Sequence, residues 1–324
     1  MWRLARDRGA LRDKVILVTG GSRGLGLVIA RKAAGRGARV VICARDGDEL
    51  ERARQDLASR GADVLAVPCD VTDPAQVQAL VDATRRRFGR VDVLVNVAGI
   101  IQVGPYETLS LEDHRAAMAA NYWGTVHATL AVLPEMQQRG EGQIVNITSI
   151  GGTLAVPHLL AYTASKFAAV GFSTGLAAEA SRHGIRVTTI VPGLMRTGSF
   201  IRALFKGQRE KEMSAFSVSA SLPFVTLDAD RAARRIVRAA ERGERFVTLG
   251  APYKLVRVLA TAAPSITIAV ASVVARLLPH AGGASASEPA RPGYMHREGV
   301  AASRLTMLSD RAAVRNNEQP LPAT

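Results

Sequence analysis

The chain has 324 residues, 48% hydrophobic and 22% charged, the balance of an ordinary globular protein with room for one large α/β domain or two small ones. That excludes a disordered, collagen-like or disulfide-stapled chain: Cys43 and Cys69 are the two cysteines, each closes an apolar run, and both read as buried thiols. Of the net charge of +14, 8 falls from Arg231 onward, yet 5% aromatic content and no recognisable reading module argue against nucleic acid; an anionic cofactor or an acidic surface suits the balance better. His114, His127, His158, His183, His280 and His296 show no ligand spacing, so no metal is expected.

Residues 1–13 form an arginine-bearing leader with no apolar stretch behind it, so no export signal is read and a reducing, cytoplasmic setting is expected. Strand-like runs then follow at Val15–Thr19, Val40–Ala44, Val64–Pro68, Val91–Asn96, Gln143–Thr148, Arg186–Val191 and Phe246–Leu249. Helical patterns separate them at Leu25–Arg36, Asp48–Arg60, Pro74–Phe88, Leu111–Gln138, Ala161–Arg182 and Asp228–Arg242. Continuous apolar strands alternating with helices predict a doubly wound parallel α/β sheet of about seven strands over residues 14–250. Residues 194–223 interrupt the rhythm and read as a substrate lid, 251–280 as an apolar helical extension, and 281–324 as an Arg/Ala/Pro-rich tail, poorly ordered or draped on the surface.

The first strand runs into Thr19-Gly20-Gly21-Ser22-Arg23-Gly24-Leu25-Gly26, and a helix follows. Glycines there permit a tight turn and close approach of a pyrophosphate to the helix N-terminus; the plain alternative is a bare strand–helix turn. The second strand ends at Ala44-Arg45, where an acid suits a ribose 2′-hydroxyl and an arginine a 2′-phosphate. Arg45 and Arg23 together point to NADP(H), unless either is merely solvated, and the adjacent Asp46 leaves room for NAD(H). Tyr162 and Lys166, four apart, share a helix face, and a nearby ammonium lowers a phenol's pKa into usable range. Most such pairs are simply exposed helix faces.

Ser149 lies 13 residues before Tyr162, and Asn121 lies mid-helix before it. With the glycine turn, Asn96-Val97-Ala98-Gly99, and Pro192-Gly193 with Thr197, the region Lys14–Gly250 resembles the short-chain dehydrogenase/reductase family. The resemblance implies a Rossmann sheet and an oxidoreductase interconverting a ketone or aldehyde and an alcohol. It implies Tyr162 as acid/base, Lys166 lowering its pKa and binding the nicotinamide ribose, and Ser149 donating to the substrate oxygen. Asn121 would hold a helix kink and link Lys166 to solvent. For the cofactor it implies Gly20, Ser22, Arg23, Gly24, Leu25, Gly26 and Arg45, with Asp70 and Val71 bordering the adenine. Asn96, Ala98 and Gly99 would line the central path; Pro192, Gly193 and Thr197 would hold the nicotinamide amide. A homodimer or homotetramer is likewise implied.

Leu154, Ala155, Val156, Leu159 and Leu160 after Ser149, with Phe200, Phe205, Phe216 and Met195 in the lid, suggest a hydrophobic carbonyl or alcohol substrate or, equally, core packing. Arg196 and Arg202 remain as anchors for a small carboxylate, and His158 reads as a loop residue rather than a catalyst. Val258–Ala275 is an uncharged run flanked by Arg257 and Arg276, with Pro264 set to kink it. It reads as a membrane span, an interfacial or substrate-entrance helix, or a packed helix or dimer contact. Alternatives to a soluble reductase are a catalytically silent NADP(H)-binding regulator and a membrane-associated lipid or steroid reductase docked through 258–275.

Overall fold

The structure, a computed structural model, describes residues 11–221, 226–282, 288–299 and 307–318. Most of the expected leader and the last two lid positions, 222 and 223, fall outside the described residues. Strands β1 (Val15–Thr19), β2 (Arg39–Ala44), β3 (Val64–Pro68), β4 (Val93–Asn96), β5 (Gly142–Ile147), β6 (Ile185–Pro192) and β7 (Phe246–Leu249) form one parallel sheet in the order β7-β6-β5-β4-β1-β2-β3. All five residues of β1 are buried, because helices cover both faces. Ile16 and Val18 face the layer of α1 (Gly24–Ala34), α2 (Gly47–Ser59) and α8 (Ala229–Arg242); Val15 and Leu17 face that of α3 (Pro74–Phe88), α5 (Gly124–Arg139) and α6 (Leu160–Glu179). Side-chain caps set the helix starts: Asp46 accepts from the Glu49 amide at α2, Asp73 from Ala75 and Gln76 at α3, and Asp228 from Arg231 at α8.

The single helix expected over Leu111–Gln138 is broken. Helix α4 (Leu111–Met118) widens into a π turn at Ala119–Trp123 before α5 resumes, because the Asn121 side chain is drawn out to bond neighbouring elements. Register aligns Thr19 with Asn96 and Asn96 with Asn146, so the carboxyl ends of β1, β4 and β5 lie level and open onto one crevice, where a doubly wound sheet binds ligands.

Residues 194–221, expected as a lid, build a satellite layer. Leu204–Phe205 pairs with Gln102–Val103 on one side and Arg291–Pro292 on the other, and α7 (Arg209–Ser219) packs beside them. Phe200, Phe205 and Phe216 gather with Val103, Ile201, Met213 and Ala313 as an apolar cluster; of the two readings of these phenylalanines, core packing is the one realised, and Met195 likewise packs on the main core. Of the tail, residues 283–287, 300–306 and 319–324 lie outside the described residues; in the rest, Arg291–Pro292 joins a sheet and α11 (Met307–Arg315) contributes buried Ala312 and Ala313, so those pieces lie against the domain.

The apolar run after β7 is two helices, α9 (Ala251–Ala262) and α10 (Pro264–Leu277), bent by 118° where Pro264 cannot continue the first. Among the described residues no single helix is long and apolar enough to cross a membrane. No residue of either helix is fully buried; α9 meets the domain through Tyr253 and Arg257, whereas the apolar side chains of α10 lie largely exposed.

Candidate active site

Ser149 follows β5 and opens a short turn, Ile150–Gly152, leading to α6. Its Oγ accepts the Gly151 amide at 3.1 Å and hydrogen-bonds the Tyr162 side chain. Lys166, one turn along α6, is buried; its Nζ donates to the Ile147 carbonyl at 3.3 Å and sits 5.8 Å from the centre of the Tyr162 ring. Gly152 is required here, since a Cβ would come within 2.6 Å of the Lys166 carbonyl oxygen. Burial pushes Tyr162 above its ordinary value, Ser149 alone pulling it back, because the ammonium is turned toward Ile147. Burial also lowers Lys166 to about 8.

Asn121 lies under this group. Its Oδ1 accepts the Ile100 amide at 2.9 Å, and its Nδ2 donates to the Ile100 carbonyl at 3.1 Å and to Ser165 Oγ at 2.9 Å. Gly99 faces both Asn121 and Lys166, and a Cβ there would strike the Asn121 amide.

At the other end of the crevice the glycine turn fits a dinucleotide by its crowding: Gly20 at φ +64° has room for no Cβ, which would lie 2.8 Å from Ala98 Cα. Leu25 and Gly26 are buried in the first turn of α1, and a Cβ on Gly26 would overlap the Gly20 carbonyl. Thr19 Oγ1 accepts the Val97 and Ala98 amides at 3.1 and 3.3 Å, clamping β1 to the β4 loop. Asn96 does not turn its side chain to the cofactor path; its Nδ2 donates to Asn146 and Thr129. Val71 packs on Gly124, and Asp70 accepts from Thr72 while lying 4.0 Å from Arg45. Arg45 is 65% exposed at the end of β2, whereas Asp46 is spent capping α2.

Arg23 is not the second free cation expected. It ion-pairs with fully buried Glu49 at 2.7 Å and with Glu318 at 3.3 Å, and Ser22 Oγ also donates to Glu49. Sequence reasoning missed Glu49, although Glu49, Ala53 and Leu57 follow the four-residue spacing of the buried stripe of α2. It missed Tyr253 as well, whose ring packs where a Cβ of Gly193 would sit and whose hydroxyl bonds Leu194. Pro192 ends β6, and Thr197 is buried with its Oγ1 accepting the Ser199 amide.

The carboxylate anchors are engaged: Arg196 donates to Thr226, and Arg202 to Glu49 and the Glu318 carbonyl. His158 hydrogen-bonds Glu212 of α7 at 2.8 Å, and Lys206 ion-pairs with Asp113 of α4 at 2.6 Å, tying residues 204–219 to the loop after Ser149 and to α4. Among the described residues no cluster suits a metal ion.

Residues 14–204 match the short chain dehydrogenase family. A dehydrogenase/reductase SDR family protein 7-like of Anopheles gambiae is 36% identical over 255 residues, 77% of this chain and 78% of its own length. D-threitol dehydrogenase of Mycolicibacterium smegmatis is 41% identical over 187 residues, 58% of this chain and 72% of its own. A solved actinorhodin polyketide ketoreductase with NADPH has a TM-score of 0.66 at 32% identity, covering 74% of this chain and 96% of that one. The chain belongs to the short-chain dehydrogenase/reductase family. It is an oxidoreductase acting on CH–OH groups with NAD(P).

Lys166 gives a test of the buried cluster. With a folded pKa near 8 against 10.5, the unfolded chain holds a proton that the folded one has lost between those values, so Lys166 makes stability rise with pH across that window. Urea midpoints of wild type and Lys166→Met at pH 7.5 and 10 should therefore diverge, the wild type gaining on the variant at the higher pH.

Proposed function

We propose that the chain is an NADP(H)-preferring reductase of hydrophobic ketones or aldehydes, with Tyr162 as proton donor. The observation that carries this reading is the Ser149–Tyr162–Lys166 group at the carboxyl end of β5, with Lys166 buried and the other two partly open to the crevice. A phenol that keeps its proton at neutral pH can donate it to a carbonyl being reduced and accept one in the reverse reaction. The bound nicotinamide supplies the hydride. Tyr162 gives its proton to the substrate oxygen, Ser149 donates a hydrogen bond to the same atom as charge grows there, and Lys166 returns a proton to the phenol. Asn121 fixes the π turn and α6, holding these groups in register.

Support for NADP(H) comes from Arg45 standing clear at the end of β2 while Asp46 caps α2, and from the NADPH named with one structural neighbour. A hydrophobic substrate is favoured by the engagement of Arg196 and Arg202 and by the apolar loop after Ser149; a granaticin polyketide synthase putative ketoacyl reductase of Streptomyces violaceoruber, 39% identical over 191 residues, is in keeping with it. Exposed Trp123, Leu130 and Phe167 on one side of the chain suit a homo-oligomer.

A second reading rests on α9 and α10. Between Glu244 and Glu288 there is no acid, while Lys254, Arg257 and Arg276 punctuate exposed Leu255, Leu259, Ile266, Ile268, Val270, Val273 and Leu277. An apolar surface rimmed by cations fits the headgroup boundary of an anionic membrane, placing a cytoplasmic enzyme at a lipid surface.

Tyr162→Phe should lower ketone-dependent NADPH oxidation by about 10²–10⁴-fold while leaving NADPH binding intact in a fluorescence titration; undiminished turnover would disprove the mechanism. Arg45→Ala should weaken NADPH about tenfold, roughly 1.4 kcal/mol, and leave NADH unchanged. In flotation assays the protein should rise with phosphatidylserine vesicles, stay down with neutral ones, and lose vesicle binding as Ile268→Glu/Val273→Glu.

A further inference from the structure

The N-terminus of α1 is already engaged. The Gly24 amide, first of the helix, donates to the Asn316 carbonyl at 2.8 Å. Gly24 has φ +54°, and its open side faces the Glu318 carboxylate so closely that a Cβ would collide with it. Asn317 Nδ2 donates to the Ser22 and Glu49 carbonyls at 2.9 and 3.1 Å. From the lid side, Arg202 donates to the Glu318 carbonyl, Asn316 donates to that of Thr197 at 3.4 Å, and Gly198 lies against Ala313. Asn316 and Glu318 are both buried. The segment thus bridges the glycine turn and the nicotinamide loop, the two walls between which a dinucleotide's phosphates belong in this fold.

We infer that residues 316–318 are an intramolecular ligand of the phosphate cradle, competing with NADP(H) for the α1 N-terminus. This rests on the assignment of the crevice to NAD(P). The helix end, Arg23 and Arg202 supply the positive charge here, and Glu49, Glu318 and the nearby Asp46 the negative. Glu49 is locked under Ser22 and Arg23. A pyrophosphate entering beside both carboxylates would leave buried negative charge uncompensated. Glu318 is the one that can leave, since it arrives on a separate segment; leaving with Asn316, it frees the Gly24 amide and takes one of the two carboxylates off Arg23.

Hydrogen exchange on the full-length wild type tests this. Saturating NADPH should speed exchange in peptides covering 307–318 by about tenfold, the reverse of the protection that ligands ordinarily confer. In the full chain Glu318→Ala should bind NADPH about fivefold more tightly by fluorescence titration, because a competitor has been weakened. Bound NADPH with exchange over 307–318 unchanged or slowed, or a Glu318→Ala affinity unchanged or reduced, overturns the competition and leaves the cofactor assignment standing. Failure of wild type and variant to bind either NADPH or NADH overturns both.

Discussion

One buried amide organises the catalytic half of the crevice. Asn121 spends its carboxamide on the Ile100 backbone and on Ser165, tying the loop after β4 to the middle of α6. Meeting those partners costs the helix its regular ladder, and the π turn at Ala119–Trp123 is where that cost appears. Because Ser165 also donates to the Tyr162 carbonyl at 2.7 Å, the same bonds fix the turn of α6 bearing Tyr162 and Lys166. Removing the carboxamide would leave buried polar groups without partners and loosen the turn of α6 that carries Tyr162 and Lys166.

What could be read from the residues was whatever local pattern determines. The apolar runs gave the seven strands because each is buried on both faces, and the glycine turn was legible because its crowding permits no side chain at Gly20 or Gly26. The spacing of Ser149, Tyr162 and Lys166 was legible for the same reason: a strand end, a turn and one helix separate them. Contacts between distant segments were not. Nothing near Arg23 announces that Glu49 and Glu318 hold it, and nothing near Phe205 shows that Arg291 and Pro292 pair beside it. The phenylalanines and arginines of the lid looked free for a ligand because their partners are remote in the chain.

The charge reads differently once the pairs are known. Arg54 with Glu51, Arg60 with Asp56 and Arg87 with Asp63 are exposed pairs that contribute little to stability; they dispose of arginines without assigning them a role. The buried pairs have directional work: Lys206 with Asp113 and His158 with Glu212 fix residues 204–219, and Tyr253 lays α9 against the loop that begins at Gly193. Through that ring, α9 and the loop after β6 share a surface.

The contact between Asn317 and Ser22 spans 295 positions of the chain. A ribosome adds roughly 5–20 residues per second, so β7 is complete some seconds before residues 307–318 exist. During that interval the sheet, the glycine turn and Arg45 can assemble with the α1 N-terminus not yet met by that segment. Biosynthesis therefore completes the glycine turn before the segment that closes on it.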